Sequence, residues 1–322
     1  MSIDAAPDPD APAPREIYRD PVYDGATDPV VVQDADGWWM FYTQRRATRP
    51  HPGDGVAWVH GSRIGVARSD DGLRWGYAGT LEPDAAGLRL EEGPPPGAVG
   101  ETHWAPEIIH DGALWRMYLT EIDGIPTRWE GHPRRIVEYA SDDLRAWTRR
   151  APLELASDRV IDAAVARCPD GRWRLWYKDE AAGSTTAVVV SDDLASWRLD
   201  GTAVGGRPHE GAFAFALEDS WFLLTDEWRG MAVYRSHDAV TWERQGGPDA
   251  VILGEAGAPR DGIQIGRHGS VVVTGDEARL YYFTHPWWDG SELADVDEPS
   301  HRRSAVHVAR LRVIDGALVA ER

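Results

Sequence analysis

The sequence predicts an all-β fold, a five-bladed β-propeller with four antiparallel strands per blade, and three observations carry that reading. A two-stranded motif recurs five times. A Ser-x-Asp turn recurs four times between the copies, and 33 Gly and 16 Trp accompany a single cysteine, as suits a turn-rich β protein without disulfides. The copies return at intervals of roughly 45–75 residues, the scale of one four-stranded sheet per repeat. Loops account for the unevenness, notably residues 45–61, 83–101, 122–134 and 286–303.

The first copy starts at Asp28-Pro29, runs through Val30-Val31-Val32, reverses at Asp34-Ala35-Asp36-Gly37 and returns through Trp38 to Thr43. β-branched residues before an Asp/Gly turn and aromatic residues after it are the composition of a hairpin. The second runs from Trp104 through Asp111-Gly112 to Leu119, and the third from Ile161 through Pro169-Asp170-Gly171 to Tyr177. The fourth runs from His209 through Glu218-Asp219 to Leu224, and the fifth from His268 through Gly275-Asp276 to Phe283. Between copies lie Ser69-Asp70-Asp71, Ser141-Asp142-Asp143, Ser191-Asp192-Asp193 and Ser236-His237-Asp238, each followed by a Trp. Ser and Asp close such turns by bonding local amides, and the Trp would pack between blades, so these acids are expected to be structural. The fifth blade lacks that turn; residues 305–313 and 317–320 would supply its outer strands.

Residues 1–14 are acidic and Pro/Ala-rich and read as a disordered tail before a catalytic propeller over 15–322. With no basic start, no apolar signal core and no membrane-length apolar run, the expectation is a soluble cytoplasmic protein. Cys168 has no partner, so nothing calls for an oxidising compartment. The net charge of -19 argues against a nucleic-acid partner, which needs a concentrated basic surface. No feature specifies an oligomeric state.

Strands alternate in direction within a blade, so the starts of first strands share an end with the ends of second strands. At matched first-strand starts the copies carry Asp28, Ala105, Asp162, Glu210 and Gly269. Inner strands line a propeller axis, so Asp28, Asp162 and Glu210 should face one pocket. Desolvating a carboxylate is costly, and three at matched positions point to function rather than packing. Neighbouring carboxylates push their proton affinities apart, leaving one ionised as a base and another protonated as an acid. That is the division of labour of glycoside hydrolysis, in which an inverting enzyme holds acid and base about 6.5–9.5 Å apart.

The order Asp28-Pro29, Trp104-Ala105-Pro106-Glu107-Ile108, Ile161-Asp162-Ala163-Ala164-Val165 and Glu210-Gly211 resembles the five-bladed glycoside hydrolases of family 43 and their furanosidase relatives, from Asp20 to the end of the chain. The family usually has Asp where Glu107 stands. The resemblance implies Asp28 as general base, Glu210 as general acid and Asp162 as the group that orients the acid and raises its pKa. Asp20-Pro21 competes for the first-blade role, but the segment after it is too short for an inner strand. Arg267-His268-Gly269 looks like the segment where many members carry an axial histidine, which makes His268 a candidate partner of a calcium ion. No other metal or cofactor is implied.

Substrate contacts are expected from His103, Trp104, Glu107, Glu227, Trp228, Arg229, His268, His285 and Trp287, with Gln44, Arg45, Glu121, Lys178, Asp179 and Trp288 as further candidates at second-strand ends. Aromatic faces stack on sugars, and charged groups fix hydroxyls. The function expected is an inverting glycosidase removing a terminal sugar from a short oligosaccharide or glycoside. The alternatives are a neoagarooligosaccharide hydrolase, a fructosidase, a glycoside phosphorylase or a non-catalytic glycan-binding propeller. Thr27 before Asp28 disfavours the fructosidase, whose nucleophile sits in an Asn-Asp-Pro setting. A sialidase ranks lower, since the Ser-x-Asp turns are a residue short of its Asp-boxes.

Overall fold

The computed structural model describes residues 16–93, 100–254, 265–275, 277–288 and 299–322; the expected tail over residues 1–14 lies outside them. The repeated hairpins extend into antiparallel meanders. Strands β1 (Ala26–Asp34), β2 (Gly37–Gln44), β3 (Arg63–Ser69) and β4 (Gly76–Pro83) form the first. A further strand, β5 (Gly87–Glu91), follows, and β6 (Glu101–His110), β7 (Trp115–Asp123), β8 (Arg135–Ser141) and β9 (Ala146–Pro152) form the second meander. The next comprises β10 (Val160–Arg167), β11 (Trp173–Asp179), β12 (Thr185–Ser191) and β13 (Arg198–Val204). Then come β14 (Glu210–Leu217), β15 (Ser220–Asp226), β16 (Met231–Ser236) and the short β17 (Glu243–Arg244). The last comprises β18 (Arg267–Thr274), β19 (Glu277–Thr284), β20 (Ala305–Ile314) and β21 (Ala317–Glu321), its outer strands falling where the sequence places them.

One departure from expectation is β5, which lies inside the segment read as a loop. Leu88 and Leu90 alternate with Arg89 and Glu91, a period-two pattern that lets one face bury while the other meets solvent. By pairing with both β4 and β9 it joins the first two meanders into a nine-stranded sheet; the other three sheets have four strands each. A 3₁₀ turn over Gly55–Trp58, also inside an expected loop, buries Val56, Ala57 and Trp58.

Burial is lowest in the fourth strand of each meander. Nearly all of β1 and β10 is buried, whereas most of β9 and β13 is exposed. First strands of different sheets pack against one another and bury both faces, which is why they read as apolar runs without alternation.

The four Ser-x-Asp turns are built alike. In the second, the Ser141 hydroxyl oxygen accepts from the amides of Asp143 and Leu144, and Asp143 Oδ1 accepts from those of Arg145 (2.8 Å) and Ala146 (2.9 Å). Each Trp that follows meets an aromatic ring of the preceding meander edge to face: Trp147 on Phe41, Trp197 on Tyr118, Trp242 on Trp176. Trp75 of the first meander meets Tyr281 of the last, and Tyr18 bridges to Val306, so the ends of the chain close on each other. The Asp143→Ala variant, which loses two amide acceptors, is expected to unfold with about 1–2 kcal/mol less free energy in a urea titration.

Among the described residues, no helix is long and apolar enough to cross a membrane.

Candidate active site

Every first strand breaks its ladder near its start. The register shifts between Thr27 and Val30 in β1, Trp104 and Glu107 in β6, Ile161 and Ala164 in β10, Glu210 and Phe213 in β14, and Arg267 and Gly269 in β18. Such bulges insert one residue and re-aim its side chain. Asp28, Ala105, Asp162 and Gly211 take left-handed φ values of 50°, 42°, 57° and 59°, a conformation that is uncommon outside glycine and needs support. The preceding sheet provides that support. Thr43 Oγ1 accepts from the Ala105 amide (2.8 Å) and Thr120 Oγ1 from that of Asp162 (3.3 Å). Asp162 Oδ2 accepts from the Gly211 amide (3.0 Å) and Asp226 Oδ2 from that of His268 (3.1 Å).

These shifts correct the alignment made from sequence. Matched positions are Asp28, Ala105, Asp162, Gly211 and His268; Glu210 lies one residue earlier, in register with Thr27, Trp104, Ile161 and Arg267. Gly269 is therefore not the counterpart of Asp28. The physical cause is at Gly211, where a Cβ would fall 2.5 Å from Cγ of His268, so the bulge position has no room for a side chain. The acid next to it comes from the residue before.

Asp28, Asp162 and Glu210 line one cavity of about 590 Å³. Asp28 is buried, accepts from the Thr27 hydroxyl (3.0 Å), and has Arg45 at 3.7 Å and His268 Nδ1 at 3.6 Å. Burial works to raise its pKa, but the two cations outweigh it and hold the carboxyl well below the usual range. Asp162 is pushed up to about 7, first by burial and then by the charges of Glu210 and Asp28. Glu210 is held low. Burial opposes this, but Lys178 Nζ at 2.9 Å and the Trp228 indole N–H at 2.9 Å stabilise the ionised form. In the free protein the proton of the Asp162/Glu210 pair thus rests on Asp162. His268, among carboxylates, is raised to about 9 despite burial and carries a positive charge at neutral pH.

Of the residues expected to touch substrate, Trp104, Trp228 and His285 line the cavity, as do Arg45 and Lys178. The others do not. Glu227 is buried under Arg229 (2.6 Å), Arg244 (2.6 Å) and Arg207 (3.6 Å), so the Glu227/Arg229 pair holds its loop in place. His103 is buried beside Glu101, and Glu107 lies buried with its carboxyl accepting from the Val165 amide, burial raising its pKa to about 8. His268 stands behind Asp28, and Trp287 is covered by Arg19 at 4.4 Å. Gln44 is also committed, donating to Asp20 at 2.9 Å; Tyr42 and the Tyr23 amide bind the same carboxylate, which makes Asp20 a clasp and not a site residue.

Sequence reasoning passed over Trp129, His132, Arg134, Arg159 and Glu180, which line the cavity. Trp129, His132 and Arg134 come from the loop over residues 122–134, where no periodicity reports position. Arg134 pairs with Glu180 at 2.6 Å and also bonds the Trp129 carbonyl, and Trp129 lies 6.3 Å from Trp104. The length of that loop was the available signal.

No family model and no curated protein matches the sequence. Solved structures do match in shape. A thermostable family-43 glycoside hydrolase aligns with TM-score 0.64 and 18% identity over 95% of this chain and 96% of its own. An exo-1,5-α-L-arabinanase from a bovine ruminal metagenomic library aligns with TM-score 0.67 and 16% identity, over 95% and 99%. The chain has the family-43 glycoside hydrolase fold. An α-L-arabinofuranosidase from Lactobacillus brevis shares it, with TM-score 0.60 and 16% identity over 94% and 95%.

Proposed function

We propose that the protein is an inverting glycoside hydrolase that removes a terminal sugar from a short glycan, and that its meanders are the five blades of a propeller. The observation that carries this reading is the convergence of Asp28, Asp162 and Glu210 on one cavity with their proton affinities pushed apart. Asp28, ionised across the working pH range, takes a proton from water as it attacks the anomeric carbon. Glu210 donates to the departing oxygen. Asp162 holds the shared proton in the free enzyme and bonds the Gly211 amide beside the acid. When a sugar excludes water, burial weakens the ionised form of Glu210, and Lys178 can turn to Glu180, 3.5 Å away, so the proton passes to Glu210. Trp104, Trp129, Trp228 and Phe283 give the sugar apolar faces.

A calcium ion at the axis does not fit the residues present. His268 directs Nδ1 at Asp28, 3.6 Å away. Among the described residues, no three His, Cys, Asp or Glu side chains stand in an arrangement that could hold a metal ion.

A panel of aryl glycosides tests the reading. Turnover of at least one is expected, with proton NMR showing first-formed sugar of inverted anomeric configuration. Retention would refute inversion, and inertness toward the whole panel would favour a glycan-binding propeller.

A further inference from the structure

The chain has 53 acidic residues against 34 Lys and Arg, and several of its buried or half-buried arginines are claimed by carboxylates. Arg134 reaches Glu180 at 2.6 Å, Arg116 reaches Asp111 at 2.6 Å, Arg174 reaches Asp170 at 2.9 Å and Arg244 reaches Glu227 at 2.6 Å. One arginine of the cavity departs from this. Arg267, in register with Glu210 on the next first strand, is 5% exposed and lines the cavity. Its guanidinium lies 5.2 Å from the Trp288 ring, and among the described residues it makes no hydrogen bond and no ion pair. Asp226 is close enough to feel its charge, but the oxygens of Asp226 are taken by the amides of Trp228 (2.7 Å) and His268 (3.1 Å).

Two further cations on the lining keep guanidinium donors without an acceptor. Arg45 has a buried Nε without an acceptor, and its contact to Asp28, at 3.7 Å, is longer than a charge-assisted hydrogen bond. Arg159 is exposed, with no partner for its guanidinium among the described residues. A buried, unpaired guanidinium is costly unless an anion reaches it. On the same lining His285 offers the complementary group. Its Nδ1 donates to the Arg303 carbonyl at 2.9 Å, so Nε2 bears no proton and is buried without a partner, ready to accept from a hydroxyl.

We infer that the sugar held in this cavity carries a carboxylate, received by the uncommitted guanidinium of Arg267 with Arg45 beside it, while His285 Nε2 accepts from a ring hydroxyl. This deepens the glycosidase reading and rests on it for the identity of the cavity. A uronic acid has both features, a carboxylate on the ring and hydroxyls next to it. Planar guanidinium and planar carboxylate match in a fork of two hydrogen bonds, which gives orientation as well as charge.

Titration calorimetry with the full-length protein, using galacturonate and glucuronate against galactose, glucose, xylose and arabinose, tests the inference. At least one uronate is expected to bind ten times more tightly than its neutral counterpart, and to weaken as salt is raised. Arg267→Met is expected to bring that preference within threefold and to keep or raise the thermal midpoint, since it removes an unpaired buried charge. Arg267→Lys should keep part of the preference. Equal binding of uronate and neutral sugar, a preference that survives Arg267→Met, tighter binding of galactose 6-sulfate than of any uronate, or no binding at all would each overturn it. Aryl substrates separate this inference from the reading beneath it. Hydrolysis of neutral glycosides with uronides inert overturns the carboxylate alone. Tight uronate binding with no aryl glycoside cleaved keeps the anion site and overturns the glycosidase.

Discussion

Asp28→Asn is expected to lower kcat by about 10³-fold or more on the best aryl glycoside, because general-base removal costs on this order, and to lower the thermal midpoint, because it leaves buried Arg45 and His268 without their counter-charge. The amide has the volume of the carboxylate and can still accept from Thr27 at its oxygen, so the bulge keeps its local bond. What it loses is a negative charge facing Arg45 and His268, and with it the ability to take a proton from water. Since Arg45 and His268 hold Asp28 ionised well below neutrality, the acid limb of the wild-type pH profile should not be set by this residue within the range where the protein stays folded. Kinetics on the purified variant, with circular dichroism as a check on folding, decide the matter; unimpaired turnover would remove Asp28 from the base role.

Glu210→Gln is expected to behave differently on different substrates. With a sugar or alkyl leaving group kcat should fall by about 10²–10⁴-fold, whereas with a dinitrophenyl leaving group, which departs without protonation, the loss should be about tenfold or less. Asp162→Asn should impair both, because it removes the carboxylate that accepts from the Gly211 amide and shares a proton with Glu210. Were Asp162→Asn the variant rescued by the activated leaving group, the two residues would exchange roles. The pH dependence follows from the same pair. One proton is held between Asp162 and Glu210 up to about pH 7, where Asp162 titrates; above that the pair is fully ionised and no proton is left for the leaving oxygen. Activity of the wild type should therefore fall with rising pH on an alkaline limb near 7. On the dinitrophenyl substrate that limb should be absent in Glu210→Gln.

The hairpins were legible because their signals are local. β-branched residues before an Asp/Gly turn and aromatics after it need no knowledge of the rest of the chain, and the same holds for Ser141 and Asp143, which bond amides two and three residues away. β5 was missed because five alternating residues flanked by Gly and Pro look like a loop until β4 and β9 pair on either side. At the site, Asp28, Asp162 and Glu210 were visible as acids at strand starts, whereas Glu227 and Arg229 misled because a surface-like charged sequence was in fact a buried ion pair. Trp129 and Arg134 gave no signal beyond the length of their loop, since loop residues reach a site by the path of the backbone and not by period.

The sequence by itself determined the repeat, the turn chemistry and which first strands begin with acids, for each is written within a few neighbouring residues. Tertiary structure alone decided which residues share the axis and which proton rests where. Register places Gly211, and not Glu210, at the position in its meander that Asp28 holds in the first, and the field at each carboxylate is set by Arg45, His268 and Lys178 brought from distant strands. Proton affinity depends on burial and on charges within a few ångströms, and those distances exist only once the sheets have packed.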